Sequence, residues 1–263
     1  MATTRKTVDE GPISIDIMQM EQGELRLRLK GTTPLICNRL SEKARRELLL
    51  PAGRKSSAEK QSTMKHNPLQ EFRASPYTIK NDDAPTLIGI PIGSFKKAIS
   101  SAALDMPGAF KAQIGRLTSI DGTEWRDLAP VWGEPQLLMA VTRMADAKRT
   151  PDVRSRAIIS NWVSEITIRY VSPILRDQGV LNLVGAAGMY IGVGDWRSEK
   201  GAGNYGSFTI AERDDDEVAA VMQRWGRDAQ IGAMESPQAY DQETEDLLAW
   251  FDTEAPRRGF KVA

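Results

Sequence analysis

Between Glu24 and Lys30 the chain reads Glu-Leu-Arg-Leu-Arg-Leu-Lys, and no other stretch constrains the fold as strongly. Successive side chains of a strand point to opposite faces. Leu25, Leu27 and Leu29 therefore seek a core, while Arg26, Arg28 and Lys30 present three cations outward. A half-buried strand of this kind belongs to an antiparallel sheet with one covered and one open face. The sequence supplies two helices for the covered face. After an apolar run at 86–91, Phe95, Ile99, Ala102 and Ala103 recur at helical spacing, with Lys96 and Lys97 on the other side and Ser94 as the expected N-cap. Over 174–191, Val180, Leu183, Val184, Ala187 and Ile191 recur at three- and four-residue steps and predict a helix with one apolar stripe.

Further strands are expected at 136–144, 157–171 and 207–210, and a short capped helix from Ser41 to Leu50. With 50–76 and 107–135 treated as insertions, the order becomes strand, helix, two strands, helix, strand. That is an α+β, ferredoxin-like (RRM-like) palm whose antiparallel sheet keeps one face open for a ligand. The 50–76 segment holds several prolines and five cations with few large apolar residues, and reads as a long loop, either functional or disordered.

Composition removes whole classes of activity. Of 263 residues 41% are apolar and 27% charged, enough for a core. A single cysteine, Cys37, and a single histidine, His66, leave no intrachain disulfide, no cysteine zinc cluster and little material for a Ser-His-Asp hydrolase. No cofactor and no metal are expected. The longest nearly apolar stretch, 183–194, is too short to span a membrane, so no membrane partner is expected and a cytoplasmic, reducing compartment fits. The formal net charge is zero, yet it is unevenly placed. From Glu212 onward there are 6 basic and 13 acidic residues, so 212–263 carries −7 and the body, 1–211, carries +7. Two regions are expected, a mildly basic body and an acidic C-terminal helical extension.

Two stretches bear on function. Between 143 and 156 lie five cations, Arg143, Lys148, Arg149, Arg154 and Arg156, against two acids, as at the tip of a hairpin. From Gly192 to Gly206 the chain is glycine-rich and holds Trp196, Arg197, Lys200, Gly201, Gly203 and Tyr205. Glycines let backbone amides approach a phosphate chain closely, the two cations add charge, and the two aromatic rings can stack on bases. A glycine-rich turn around a packed tryptophan is the competing reading. The stretch follows a helix and precedes a strand, the reverse of a dinucleotide fingerprint, and it lacks the Gly-Lys-Ser/Thr of a P-loop.

The segment Ile90-Pro91-Ile92-Gly93-Ser94-Phe95-Lys96-Lys97-Ala98 resembles the strand-to-helix motif of the RAMP superfamily. A glycine-rich loop between the last helix and last strand is that superfamily's other hallmark. Ile92 stands where glycine is usual, Lys97 replaces a second glycine, and Ser100 stands where many members carry arginine. The nearest likeness is to the backbone subunit of CRISPR effector complexes, which polymerises along guide RNA in antiviral defence; a phage or mobile-element relative fits as well. The resemblance implies a single-stranded nucleic acid partner, RNA above all, together with copies of the chain itself and other effector subunits. It implies RNA contacts at Lys96, Lys97, Trp196, Arg197, Lys200, Gly201 and Gly203, and a protruding thumb carrying Lys148, Arg149, Arg154 and Arg156. The binder is expected to be non-catalytic. The alternatives are a guide-processing endoribonuclease with His66 as its base, or a protein-interaction module.

Overall fold

β1 (Glu21–Gly31) does what its alternation demands. Leu29 is fully buried, Leu25 and Leu27 are half-buried, and Arg26 and Arg28 are exposed. It sits between β9 (Val163–Ser172) and β10 (Phe208–Ile210), antiparallel to both. β9 alternates likewise, with Ile166, Ile168 and Tyr170 inward and Glu165, Thr167 and Arg169 outward. The computed structural model describes residues 18–50, 53, 64–121, 125, 127–143, 149–200 and 203–260. Over these the chain is a mixed α+β fold with eight α-helices and a large antiparallel sheet.

On the far side of β9, β5 (Thr118–Asp121) pairs with its C-terminal half, and β6 (Leu128–Trp132) with its first residues. β4 (Ile88–Pro91) and β3 (Tyr77–Thr78) continue outward from β6. The path β1, α3 (Ile92–Ala102), β5, β9, α5 (Asp177–Ala186), β10 lays its strands in the spatial order β10-β1-β9-β5. α3 and α5 cover the inner face, where Phe95, Ala98 and Ile99 meet Leu29, Ile168, Val180 and Val184 in one core. The predicted stripe from Val180 to Ile191 is buried throughout. Its last turn, 187–191, is π-helical, and a β-carbon at Gly188 would lie 2.0 Å from the Phe208 carbonyl oxygen. Glycine there lets helix and strand touch backbone to backbone.

The structure departs from the strand assignment at two points. The expected strand at 157–171 is two strands, β8 (Pro151–Ile159) and β9, broken where Trp162 turns into the core and donates from Nε1 to the Thr33 carbonyl at 2.9 Å. β8 pairs with β7 (Pro135–Arg143) as a long hairpin, and with β2 (Leu35–Ile36) forms a separate three-stranded sheet. The neighbour of β9 comes instead from 107–135, the region treated as an insertion, which also holds α4 (Lys111–Leu117). Alternation predicts that a segment is a strand; it carries no information about which edge the strand joins. α3 also starts two residues before the expected cap. Ile92 N–H donates to the Asp127 carbonyl, and no side chain caps the helix. Part of the 50–76 loop is ordered as α2 (Pro68–Ala74), capped by Asn67. Residues 51, 52 and 54–63 of that loop lie outside the described residues.

The acidic extension folds back onto the body. α6 (Asp216–Arg224) lies on the outer sheet face, where Val218 packs on Trp132 and Val163. α7 (Arg227–Glu235), not expected from the sequence, inserts Gln230 between β4 and β6. Residues 238–240 hydrogen-bond along the β7 edge, and α8 (Gln242–Arg257) follows, its Thr244 hydroxyl accepting from Met139 N–H. Among the described residues no helix is long and apolar enough to cross a membrane.

Candidate nucleic-acid interface

The open face of the large sheet is an electrically neutral surface. Arg28 lies 2.7 Å from Glu165 across the strand pair, Arg26 is 3.4 Å from Glu24, and Lys30 bridges Glu217 at 2.6 Å and Asp215 at 3.0 Å. Arg169 joins Glu24 and Asp121. The groove over this face, about 640 Å³, is lined by four arginines and four carboxylates. Glu217 and then Asp215 hold the Lys30 ammonium pKa above its usual range. The three outward cations read from β1 are thus matched by acids from β9, from β1 itself and from the start of α6, leaving no unbalanced positive track among the described residues.

Positive charge gathers elsewhere. A second groove, about 530 Å³, opens between the β7–β8 hairpin, α2 and the segment leading from β2 into α1 (Glu42–Leu49). Among the described residues Arg39, Arg143, Arg154 and Arg156 line it against one carboxylate, Glu71, and Trp196 forms part of its wall. Among the described residues neither Arg39 nor Arg143 has an ion-pair partner. Arg39 lies over the Tyr77 ring, 5.9 Å from its centroid. Arg154 and Trp196 were legible as candidates and Arg143 only as one of the connection's cations; Arg39 was not, because an isolated arginine in a connection carries no pattern.

Two of the expected binders prove to hold the site together. Arg156 is mostly buried, paired with Asp195 and stacked over Trp196 at 5.5 Å; burial lowers its pKa, against the pull of Asp195. Trp196 packs with Tyr205 at 6.1 Å, in a cluster with Ile36, Leu138 and Ile158. Arg197 is bound by Glu199 at 2.6 Å and donates to the Gly194 carbonyl at 3.0 Å. The glycines serve the loop's own folding. A β-carbon at Gly203 would meet the Trp196 carbonyl oxygen at 1.7 Å, and one at Gly206, where φ is +70°, would meet that of Val193 at 1.7 Å. The packed-turn reading therefore describes this backbone, while an edge of Trp196 still reaches the groove.

The loop links the groove to α3. Glu199 accepts from the Ser101 hydroxyl and lies within electrostatic reach of Lys97, so Lys97 and Arg197 gather around one carboxylate. Burial alone would raise the Glu199 pKa; Arg197 and Lys97 bring it below its ordinary value. Lys200 and Lys97 are exposed, and Lys96, one position round the helix, is half-buried. Arg149 is exposed near the hairpin tip with φ of +49°. Lys148 and Gly201 lie outside the described residues.

Beneath the groove, His66 has both ring nitrogens taken up, Nδ1 by Glu71 at 2.6 Å and Nε2 by Asp152 at 2.9 Å. No nitrogen is left to accept a substrate proton unless one contact breaks. Asp152 is buried and also binds Lys65 at 2.8 Å and Arg154 at 3.0 Å. Burial works to raise its pKa, but Lys65, then His66 and Arg154, outweigh it and hold the carboxyl below its usual range. Its folded value lies below the unfolded one, so these contacts stabilise the fold at neutral pH, and the benefit is lost as pH falls through the folded value. Asp152→Asn is expected to lower the urea midpoint at neutral pH and to flatten its fall on acidification; an unchanged acid limb would contradict the assignment. Cys37 offers no nucleophile, since burial pushes its thiol up to about 12. Among the described residues no group of His, Cys, Asp and Glu could hold a metal ion. No protein-family model matches the chain, and no curated protein matches it either.

Proposed function

We propose that this chain is a non-catalytic subunit that binds single-stranded nucleic acid, RNA above all, as a RAMP-like component of a CRISPR-type effector or filament in the cytoplasm. The β10-β1-β9-β5 strand order, with α3 and α5 on one face, supports a ferredoxin-like palm. The hairpin β7–β8 stands as the thumb of that reading, and the glycine-rich loop precedes the last strand of the palm as the resemblance requires.

One observation carries the proposal. Arg39, Arg143 and Arg154 converge with Trp196 in a groove open to solvent whose described lining holds one acid, Glu71. Guanidinium groups match phosphate geometry, and an aromatic edge beside them accepts an unstacked base. A duplex buries its base faces, so the combination favours a single strand. The strand would leave the groove over the loop toward Lys200 and Lys97, not across the open sheet face.

The test is fluorescence anisotropy of labelled single-stranded RNA, single-stranded DNA and duplex across a salt series. Single strands are expected to bind more tightly than duplex, with log affinity falling against log salt by about 0.7 per phosphate contact. Arg28→Ala, on the neutral face, is expected to leave both affinity and slope unchanged. Absence of single-strand binding at low salt would remove the proposal.

A further inference from the structure

α1 is a helix with little support among the described residues. Every described side chain beyond Ala44 is exposed, and its last turn and cap place Leu48, Leu49 and Leu50 in solvent at 76%, 80% and 80% exposure. Ser41 caps its start, and Arg46 pairs with Glu42 at 2.5 Å, yet eight residues with one cap do not hold a helix in water. Residues three and four apart share a face, so Arg45 stands beside Leu48 and Leu49, and Arg46 beside Leu49 and Leu50. The helix offers an apolar tip backed by Arg45, with Arg46 shared with Glu42, and with Glu47 on the other side of the last turn.

The complementary surface lies on α8. Trp250 is 57% exposed there. Asp246 stands one turn before it and Glu243 two turns before it, on the same face of the helix. Both carboxylates are exposed and neither has an ion-pair partner among the described residues, although Asp246 accepts from Gln242 Nε2 at 2.9 Å. An exposed tryptophan flanked by two acids on its own face is a mate for leucines backed by Arg45.

The two surfaces belong to opposite edges of the three-stranded sheet. α8 follows the segment that closes the β7 edge, and α1 follows β2 on the β8 side. We infer that α1 of one molecule docks against the Trp250 face of α8 of the next, in a head-to-tail contact between copies of this chain. Two different patches meet, so the contact is heterologous and generates a chain or ring, not a closed two-fold dimer. Leucines on tryptophan supply the affinity, and the arginine–carboxylate pairs fix the register. The inference rests on the self-assembly half of the reading above and assigns its surface.

Light scattering over a protein concentration series, without nucleic acid, tests it. The wild-type chain is expected to grow in mean mass with concentration. A variant carrying Leu48→Ser and Leu49→Ser, and another carrying Trp250→Ala and Asp246→Lys, are each expected to stay monomeric with unchanged circular dichroism. Mixed together they retain one good patch of each kind and are expected to form one-to-one dimers and nothing larger. A wild-type chain monomeric throughout would overturn the interface. So would association of the α8 variant alone, which would mean that α1 pairs with itself. Single-strand binding by the two monomeric variants is measured separately. A chain that assembles but binds no strand keeps this interface and removes the nucleic-acid reading.

Discussion

Replacing Arg39, Arg143 and Arg154 together by alanine is expected to weaken single-stranded RNA binding by about 100-fold near physiological salt, three contacts at about 1 kcal/mol each. Two of the three have no competing ion pair among the described residues, so their charge is available to phosphate. Arg154 is shared with Asp152, and its contribution is correspondingly the smallest. The salt slope is expected to fall by about 2, from three contacts at about 0.7 each. The slope separates this outcome from a folding defect, which would lower the active fraction without changing the slope. Arg156→Ala is expected to behave differently. Its partner Asp195 and the Trp196 ring would lose their clamp, so thermal stability falls along with binding. An intact slope in the triple variant would place the phosphate track elsewhere.

Gln230→Leu is expected to destabilise the chain by about 3 kcal/mol and lower Tm by about 10 °C. The side chain is fully buried and all its hydrogen-bonding capacity is used. Its Oε1 accepts from the amides of Leu87 and Ile88 at 3.0 Å each, and its Nε2 donates to the carbonyls of Val131 and Gly133 at 2.8 and 3.0 Å. Leucine keeps the volume and leaves four backbone groups, at the start of β4 and the end of β6 and the residues flanking them, without these partners. The cost is the desolvation of groups that water cannot reach, larger than the net worth of the bonds themselves. Circular dichroism melting reads the shift, and a change of only a degree or two would show that water replaces the amide. The acidic extension therefore locks the sheet that it crosses, and truncation at residue 211 is expected to be more damaging still.

Periodicity made some elements legible and left others hidden. β1 and the Val180–Ile191 stripe were readable because burial on one face imposes a fixed period on neighbouring residues. The first strand of the hairpin was readable. The stretch read as its basic tip holds most of the second, with Arg154 and Arg156 inside β8 and Arg143 ending β7, and the hairpin's membership of a second sheet was not legible. Leu137, Leu138, Ala157 and Ile158 are apolar on both faces and suit either sheet. The segment 238–240 gave no strand signal, because it hydrogen-bonds along an edge for only three residues. Its role depends on β7 being there.

The candidate site shows the same division. Lysines, arginines and glycines in two loops were visible as composition, but composition does not say which charges are already spent. Arg197 is spent on Glu199 and Arg156 on Asp195, while Arg39, unremarkable in sequence, remains available. From the amino-acid order alone came the strand faces, the helix stripes and the surplus of positive charge in the body, since each depends on residues close together along the chain. Which cations balance which acids, and which groove stays positive, was decided by contacts such as Arg28 with Glu165 and Lys30 with Asp215. Charge cancellation depends on distance in space, and partners 137 and 185 residues apart meet only once the sheet and its returning tail are assembled.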